Sequence, residues 1–467
     1  MMEFLDAVDS ILYYPILLVV MGAAGLYFSF RMGFVQVRML PEALRLLMVK
    51  PKDGGTSPFQ ALMVSTASCV GTGNIIGVST AICLGGPGAI FWMTVMAIIG
   101  AASSFTECTL AQVFKRKRPD GSAYGGPAYY IEDALHNKAL ATAFAVFLLL
   151  TYSCGFNLLC SYNTQSTFSV YSFYDPAVTP AIIGAILAAL VGACVMGGAK
   201  SIEKAAGILV PFMGVAYVIV SIVVLVMNFG ELPRVLETIM ADAFNFKAIF
   251  SGIGGSCLVM GIKRGLYSNE AGVGSAPNAA AAASTTHPVK QGLVQMLSVY
   301  IDTVILCNAT ALMCLVSEVP GNAENAGAVW VQTSLHKVLG NFGPWFITVA
   351  MLLFSFTTLI GNIYYCENGL AYLNHKKMPG SGFMKAFKLY AVLIVFVGAI
   401  IPMAAAWDLA DIMMGGMTLI NLTACVLLGS VVVKAYEDYR MQKAAGLDPH
   451  FKGTALGLKP EELDFWK

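Results

Sequence analysis

Charge is what this chain has least of. Asp, Glu, Lys and Arg together make up 12% of its 467 residues, about half of the roughly 25% that soluble domains carry. The formal net charge is +1, which gives no electrostatic footing for nucleic acid or a strongly acidic partner. The motifs of soluble chemistry are missing too: there is no GxxxxGK[ST] loop, no GxSxG, no HExxH and no EF-hand loop. Gly71-x-Gly73 lies inside an apolar run rather than after a strand, so it is not a dinucleotide fingerprint. The five histidines are scattered. The eleven cysteines form no CxxC pair and sit mostly within apolar stretches, as small buried hydrophobes rather than a disulfide frame or a zinc site. The expectation is a protein that is not an enzyme and has no organic cofactor. Met1 to Ser10 holds Glu3, Asp6 and Asp9 but no Lys or Arg, so the basic start of a cleaved leader is lacking.

What the chain has instead is apolar length. Crossing hydrocarbon takes about 20 apolar residues, and eleven candidate spans satisfy or approach this: 11–30, 58–84, 88–114, 139–170, 177–197, 205–229, 246–264, 290–317, 342–372, 383–403 and 408–435. The fold class is therefore an all-α, multi-pass membrane protein whose first partner is the lipid bilayer. Of the 28 Lys and Arg, all but Arg234, Lys247 and Lys337 fall in the odd-numbered connections or the C-terminal tail. That asymmetry predicts an N-terminus outside the cell (inner) membrane and a C-terminus in the cytoplasm. Val37 to Lys50 alternates Leu and Met with Arg at helical spacing and should lie along the cytoplasmic interface. Gly321 to Asn341 is long enough for a short helix over an outer entrance. The number of subunits is left open, since Gly-rich faces serve packing within or between chains alike.

Broken helices carry the functional signal. In lipid, irregular backbone persists only where it meets protein or a water-filled cavity. The second span contains Ser65-Thr-Ala-Ser-Cys-Val-Gly-Thr-Gly-Asn74, and the seventh contains Ser251-Gly-Ile-Gly-Gly-Ser256. These are the first spans of two five-helix sets, giving a division into 1–57 (an extra span and interfacial helix), 58–229 and 230–435 (two repeats) and 436–467 (a tail). Five is odd, so the repeats are inverted, and unwound pieces at matching positions build a midplane site. Helix N-termini there favour a carboxylate and free carbonyls a cation.

Polar residues elsewhere in the spans add candidates. The ninth span holds Thr357, Thr358, Asn362 and Glu367. The paired hydroxyls could complete an oxygen shell for sodium, or bond back to carbonyls one turn earlier. The fourth span offers Asn157, Asn163, Thr164 and Gln165, with Tyr171 near its outer end; Glu107, Asp302 and Glu367 are ionisable groups near or within spans, candidates for a proton relay or for ordinary pairing. Polar groups gather at the midplane with apolar stretches on either side, which favours a carrier over a channel.

Three stretches resemble one family. Gly85-Gly-Pro-Gly-Ala-Ile-Phe-Trp-Met-Thr-Val-Met-Ala-Ile-Ile-Gly100, Gly71-Thr-Gly-Asn-Ile-Ile-Gly77 and Arg264-Gly-Leu-Tyr-Ser-Asn-Glu-Ala-Gly-Val-Gly-Ser-Ala-Pro277 are similar to the sodium:alanine symporters, the alanine-or-glycine:cation symporter family. Thr94 departs from the second Trp usual in that signature. The resemblance covers about residues 10–440. It implies a leucine-transporter-type 5+5 inverted repeat with one additional N-terminal helix, and uptake by alternating access of a small neutral amino acid (alanine or glycine, with glutamine as a further candidate), coupled to sodium or, as the alternative, to protons. It further implies that Gly71, Thr72 and Gly73 offer N–H groups to the substrate carboxylate, with Asn74 nearby, and that Gln165 and Tyr171 touch substrate. The ammonium would meet the break at Gly252, Gly254 and Gly255. Carbonyls of Ala67, Val70 and Phe354 with hydroxyls of Thr357 and Thr358 would hold sodium. Where some members have Trp, this chain has Asn362, one turn before Cys366; the smaller amide implies room for a larger or polar side chain.

Overall fold

The computed structural model describes residues 8–49, 51, 55–118, 121–251, 256–401, 404–458 and 463–466. Their apolar runs form helices, as expected. Nine are long and apolar enough to cross a bilayer: Val8–Arg31 (α1), Ala89–Val113, Lys138–Ser166, Thr179–Met196, Ala199–Met227, Pro288–Leu315, Phe342–Leu373, Ser381–Ile400 and Ala410–Leu427. A tenth crossing is a bent pair, Pro58–Cys69 (α2) and Gly73–Gly85 (α3), whose axes differ by 53°. We label the remaining crossings in chain order: α4 for Ala89–Val113, α5 for Lys138–Ser166, α6 for Thr179–Met196 and α7 for Ala199–Met227. The expected seventh span corresponds to Phe246–Ser251 and Cys257–Asn269 (α8), with 252–255 outside the described residues. After it come Ala276–Ala280 (α9), Pro288–Leu315 (α10), the outer-loop helix Ala328–Leu339 (α11), Phe342–Leu373 (α12), Ser381–Ile400 (α13), Ala404–Leu427 (α14) and Gly429–Ala444 (α15). The two short strands Arg116–Lys117 and Ala123–Tyr124 pair antiparallel after α4.

Burial sorts the helices into a centre and a shell. The apolar windows of α12, α10 and α4 are 72%, 67% and 61% buried, against 28% for α7 and 22% for α13. On α7 the exposed residues Ile208, Phe212, Val215, Ile219, Ile222 and Val226 recur every three or four positions, while Val210, Met213, Tyr217 and Val224 are buried. An apolar stripe turned outward is unfavourable in water and comfortable against lipid tails, which fixes this helix as bilayer-facing. The central pair α2 and α12 approach almost backbone to backbone: a Cβ at Gly361 would lie 2.9 Å from the Ser68 nitrogen, and one at Gly71 would overlap the Thr358 hydroxyl.

One element runs differently from expectation. The sequence ends the seventh span at Arg264 and puts Lys263 and Arg264 in a connection. In the structure α8 continues through both to Asn269, and Gly261 and Gly265 of that helix pack beside Ala89, Trp92 and Met93 at the start of α4. Lys263 pairs with Asp9 of α1 and, at 3.0 Å, with Asp411 of α14; Arg264 reaches Asp411 at 3.5 Å and stacks 4.1 Å from the Trp407 ring. Asp411 is fully buried and Asp9 nearly so. Two cations facing two carboxylates make the cluster neutral, and that neutrality lets charged residues sit inside an apolar helix.

Removing one member should therefore be costly. Lys263→Met leaves two buried carboxylates sharing one guanidinium and should destabilise the purified protein by about 3 kcal/mol, seen as a lower unfolding temperature in detergent. Adding Asp9→Leu should restore part of the loss. An unchanged unfolding temperature in Lys263→Met would mean the cluster does not hold α1 to the bundle.

Candidate functional site

The helix of α2 starts on Ser57, which caps it with Gln60 in a reciprocal pair, and stops at Cys69 because Val70 turns extended (φ −72°, ψ 91°). The freed backbone is closed by Asn74. Its Oδ1 accepts the Gly71 N–H at 2.9 Å, and its Nδ2 donates to the Asp302 carboxylate at 2.8 Å and to the Asp302 carbonyl at 3.0 Å. Asp302 lies in a widened, π-type stretch of α10, Tyr300–Cys307. The Thr72 hydroxyl meets the Tyr267 hydroxyl of α8 at 2.9 Å, and Gly73 abuts Ser268.

Opposite this break stands a second one that the sequence reading passed over. Between α8 and α9 the chain leaves helical geometry at Glu270 (φ 54°), Gly272 (φ 84°) and Gly274 (φ 93°). The two glycines take a conformation that other residues avoid. Its polar groups are met by buried side chains: Glu107 of α4 accepts the Gly272 N–H at 3.2 Å, Asn421 of α14 donates to the Gly272 carbonyl at 2.9 Å, and the Ser275 hydroxyl donates to Glu270 at 2.6 Å. The two breaks touch where the Cys69 sulfur lies 3.7 Å from the Asn269 carbonyl and 3.6 Å from the Glu270 carboxylate. The segment belongs to a stretch quoted above for its family likeness; the charge at 263–264 hid its place in a span. The glycines Gly252, Gly254 and Gly255 lie outside the described residues.

The residues expected around sodium are gathered on α2 and α12. Ala67, Val70, Phe354, Thr357 and Thr358 are all buried. The Thr358 hydroxyl faces the Val70 carbonyl across the helix pair at 3.4 Å. Thr357 bonds back within its own helix, to the carbonyls of Phe354 (3.0 Å) and Leu353 (3.2 Å), and touches the Met213 sulfur of α7 at 3.7 Å. The groups are neutral oxygens, the donor type a hard monovalent cation requires, and of these five residues Thr358 is the one whose hydroxyl reaches across to the other helix.

The expected substrate residues divide. The Gly71 N–H is taken by Asn74, so it is not free for a carboxylate in this conformation. Asn362 is buried beside the first break, accepting from the Ser68 hydroxyl at 2.7 Å and donating to Asn157 of α5 at 3.0 Å; Cys366 is buried one turn on. Gln165 and Tyr171 stand apart from the breaks. Gln165 lies eight residues beyond Asn157, about 12 Å along α5, and accepts from Tyr174 at 2.9 Å. Tyr171 bonds Thr348 at 2.8 Å and packs on Trp345 in a cleft of about 370 Å³ bordered by Gln332 and His336 of α11. Ser68 and Asn157, noticed in the sequence only as polar residues in apolar runs, are what bring Asn362 into a network.

Comparison with known proteins places these features. Residues 1–453 match the family model described as "Sodium:alanine symporter family". The "Probable sodium/glutamine symporter GlnT" of Bacillus subtilis (strain 168) is 42% identical over 451 residues, covering 96% of this chain and 92% of that one. The "Sodium/alanine symporter AgcS" of Methanococcus maripaludis is 37% identical, covering 95% and 98%. Among solved structures, MhsT in complex with L-phenylalanine superposes with a TM-score of 0.56 at 13% identity, over 82% of this chain and 92% of that one; this likeness concerns the fold, which is of the leucine-transporter type.

Asn74 is the residue on which the first break depends. Asn74→Ala would leave the Gly71 N–H and the Asp302 carboxylate without these partners, at about 1–3 kcal/mol for each buried group. Both the unfolding temperature and the transport rate should fall. A stable Asn74→Ala variant with normal transport would show that the break is held by something else.

Proposed function

The chain belongs to the sodium:alanine symporter family and is a sodium-coupled amino-acid symporter; on that premise we propose that it imports a small neutral amino acid, alanine, glycine or glutamine, through a site between the α2–α3 and α8–α9 breaks. The observation that carries this reading is the meeting of the Val70 carbonyl and the Thr358 hydroxyl at 3.4 Å. It places neutral oxygens of two helices around one point directly beside the irregular backbone at Gly71. A sodium ion there, bound by Ala67, Val70, Phe354 and Thr358 with Thr357 turning from its own helix, would bridge α2 to α12 and fix the break's shape for substrate. Its affinity and that of the amino acid are then linked reciprocally. In this reading Gly71, Thr72, Gly73 and Asn74 meet the amino acid's carboxylate, while Asn362 and Cys366 border its side chain. Gln165 and Tyr171 belong to the approach from the α11 side.

We assign 58–229 and 230–435 as the two repeats, with 1–57 and 436–467 outside them, and the Asp9 end of the bundle as the outer face. The basic residues support this orientation, because the two that the structure moves, Lys263 and Arg264, are neutralised by Asp9 and Asp411 and do not act as loop charge. Glutamine is included because Asn362 is smaller than the Trp of some family members and because the relative at 42% identity bears glutamine in its name.

Uptake of labelled alanine and glutamine into proteoliposomes should follow an imposed sodium gradient. Accumulation driven by a pH gradient alone, without sodium, would transfer the coupling to protons. Thr358→Ala should raise the sodium concentration for half-maximal uptake by about tenfold, as expected for losing an oxygen ligand worth about 1.4 kcal/mol, with a smaller effect at saturating sodium. An unchanged sodium dependence would remove Thr358 from the ion site.

A further inference from the structure

We propose that Asn157 and Asn362 together recognise a side-chain carboxamide, so that glutamine or asparagine, rather than alanine, is the cargo this pocket is built to hold; the inference rests on the substrate position proposed above. Three helices supply a directed chain of hydrogen bonds. The Ser68 hydroxyl of α2 donates to Asn362 Oδ1 at 2.7 Å, and Asn362 Nδ2 of α12 donates to Asn157 Oδ1 of α5 at 3.0 Å. There the chain stops. The Asn157 Nδ2 group is fully buried and has no hydrogen-bond partner among the described residues. About one turn away on α2 and α12, the buried Ser65 and Tyr365 hydroxyls face one another, and the Tyr365 ring meets that of Tyr152 edge-on at 5.4 Å.

Buried polar groups in proteins are nearly always paired. An open amide beside buried hydroxyls on neighbouring turns of the three helices therefore points to an occupant that pairs it. The groups that meet there, Ser65, Ser68, Asn157, Asn362, Tyr152 and Tyr365, are all neutral, which selects an uncharged polar ligand. A carboxamide supplies both halves of the match: its oxygen accepts from Asn157 Nδ2, and its NH2 donates to a hydroxyl oxygen. The match survives an exchange of O and N in both asparagines. Reversing both amides presents an acceptor instead of a donor, and a carboxamide answers either. A methyl side chain offers nothing to the open amide. A carboxylate would be buried close to the Glu270 carboxyl, which lies 3.6 Å from the Cys69 sulfur on the facing break. A site built around such hydrogen bonds discriminates strongly against ligands that cannot make them.

The test uses the full chain in proteoliposomes with an inward sodium gradient and labelled alanine. Glutamine should inhibit alanine uptake at concentrations at least about tenfold below those needed for homoleucine, its apolar isostere, or for glutamate. In Asn157→Leu the ratio of glutamine to alanine uptake should fall about tenfold. Equal inhibition by glutamine and homoleucine, or an unchanged uptake ratio in Asn157→Leu, would overturn the proposal. If that variant cannot be purified in folded form, the wild-type competition decides alone. Thermal stabilisation of the purified protein in sodium, larger with glutamine than with homoleucine, supports recognition independently of transport, and equal stabilisation refutes it. Wild-type uptake of labelled alanine and labelled glutamine reports separately on the transport reading: absence of both sinks that reading, whereas uptake without preference for glutamine sinks only the carboxamide site.

Discussion

A backbone that leaves the helix inside an apolar bundle must find every hydrogen bond within the protein. An unpaired amide or carbonyl there costs several kcal/mol, while a satisfied bond returns about 1 kcal/mol net. That asymmetry decides the layout of the centre. The break after Cys69 exists because Asn74 covers the Gly71 N–H and reaches Asp302. The break after Asn269 exists because Glu107 and Asn421 cover both polar groups of Gly272. Apart from Asn74 itself, these supporting side chains come from α4, α10 and α14, so three helices that contribute little to the proposed pocket are fixed by the need to back the breaks that form it.

The same requirement explains where charge is found. Lys263 and Arg264 interrupt an apolar helix, yet their partners arrive from the first helix and the last crossing. The N-terminal helix α1 thereby gains a role in the bundle: Asp9 is needed where Asp411 alone would face two cations. The helices α7 and α13 have the least buried windows and form the lipid-facing shell; even there the one buried cation of α13, Lys388, is paired inward with Glu367 of α12 at 3.2 Å.

Much of this was legible in the sequence because hydrophobic length and polar residues at the midplane are local signals. The runs predict the crossings, and Ser65 to Asn74 stands out as polar and glycine-rich where lipid permits neither. What was not legible depends on distant partners. Nothing near Lys263 announces Asp9 or Asp411, so the run looks finished at residue 264 and the irregular stretch 270–275 looks like a connection. The position of Gln165 relative to the breaks was not legible either: eight residues of continuous helix carry it about 12 Å beyond Asn157, to a bond with Tyr174. The pair Asn157 and Asn362, separated by 205 positions, could be seen only as two polar residues in separate apolar runs.

A path of contacts joins the break to the ion cluster. Thr72 bonds Tyr267 at 2.9 Å, the Tyr267 ring meets Trp407 at 5.0 Å, Trp407 carries the Arg264 guanidinium at 4.1 Å, and Arg264 reaches Asp411 at 3.5 Å. The two ends of this path are directional and the middle is not. Ring faces tolerate sliding, because their attraction varies slowly with lateral offset, whereas the hydroxyl pair at Thr72 weakens steeply with angle. A shift of α8 against α14 is therefore absorbed between Tyr267 and Trp407 before it strains the buried carboxylates. On the other side of the same break, Gly71 and Gly361 bring α2 and α12 together without intervening side chains, and no such cushion exists. Rearrangement is accordingly easier between α8 and α14 than between α2 and α12, which makes α12 the fixed wall on which Thr358 and Asn362 are carried.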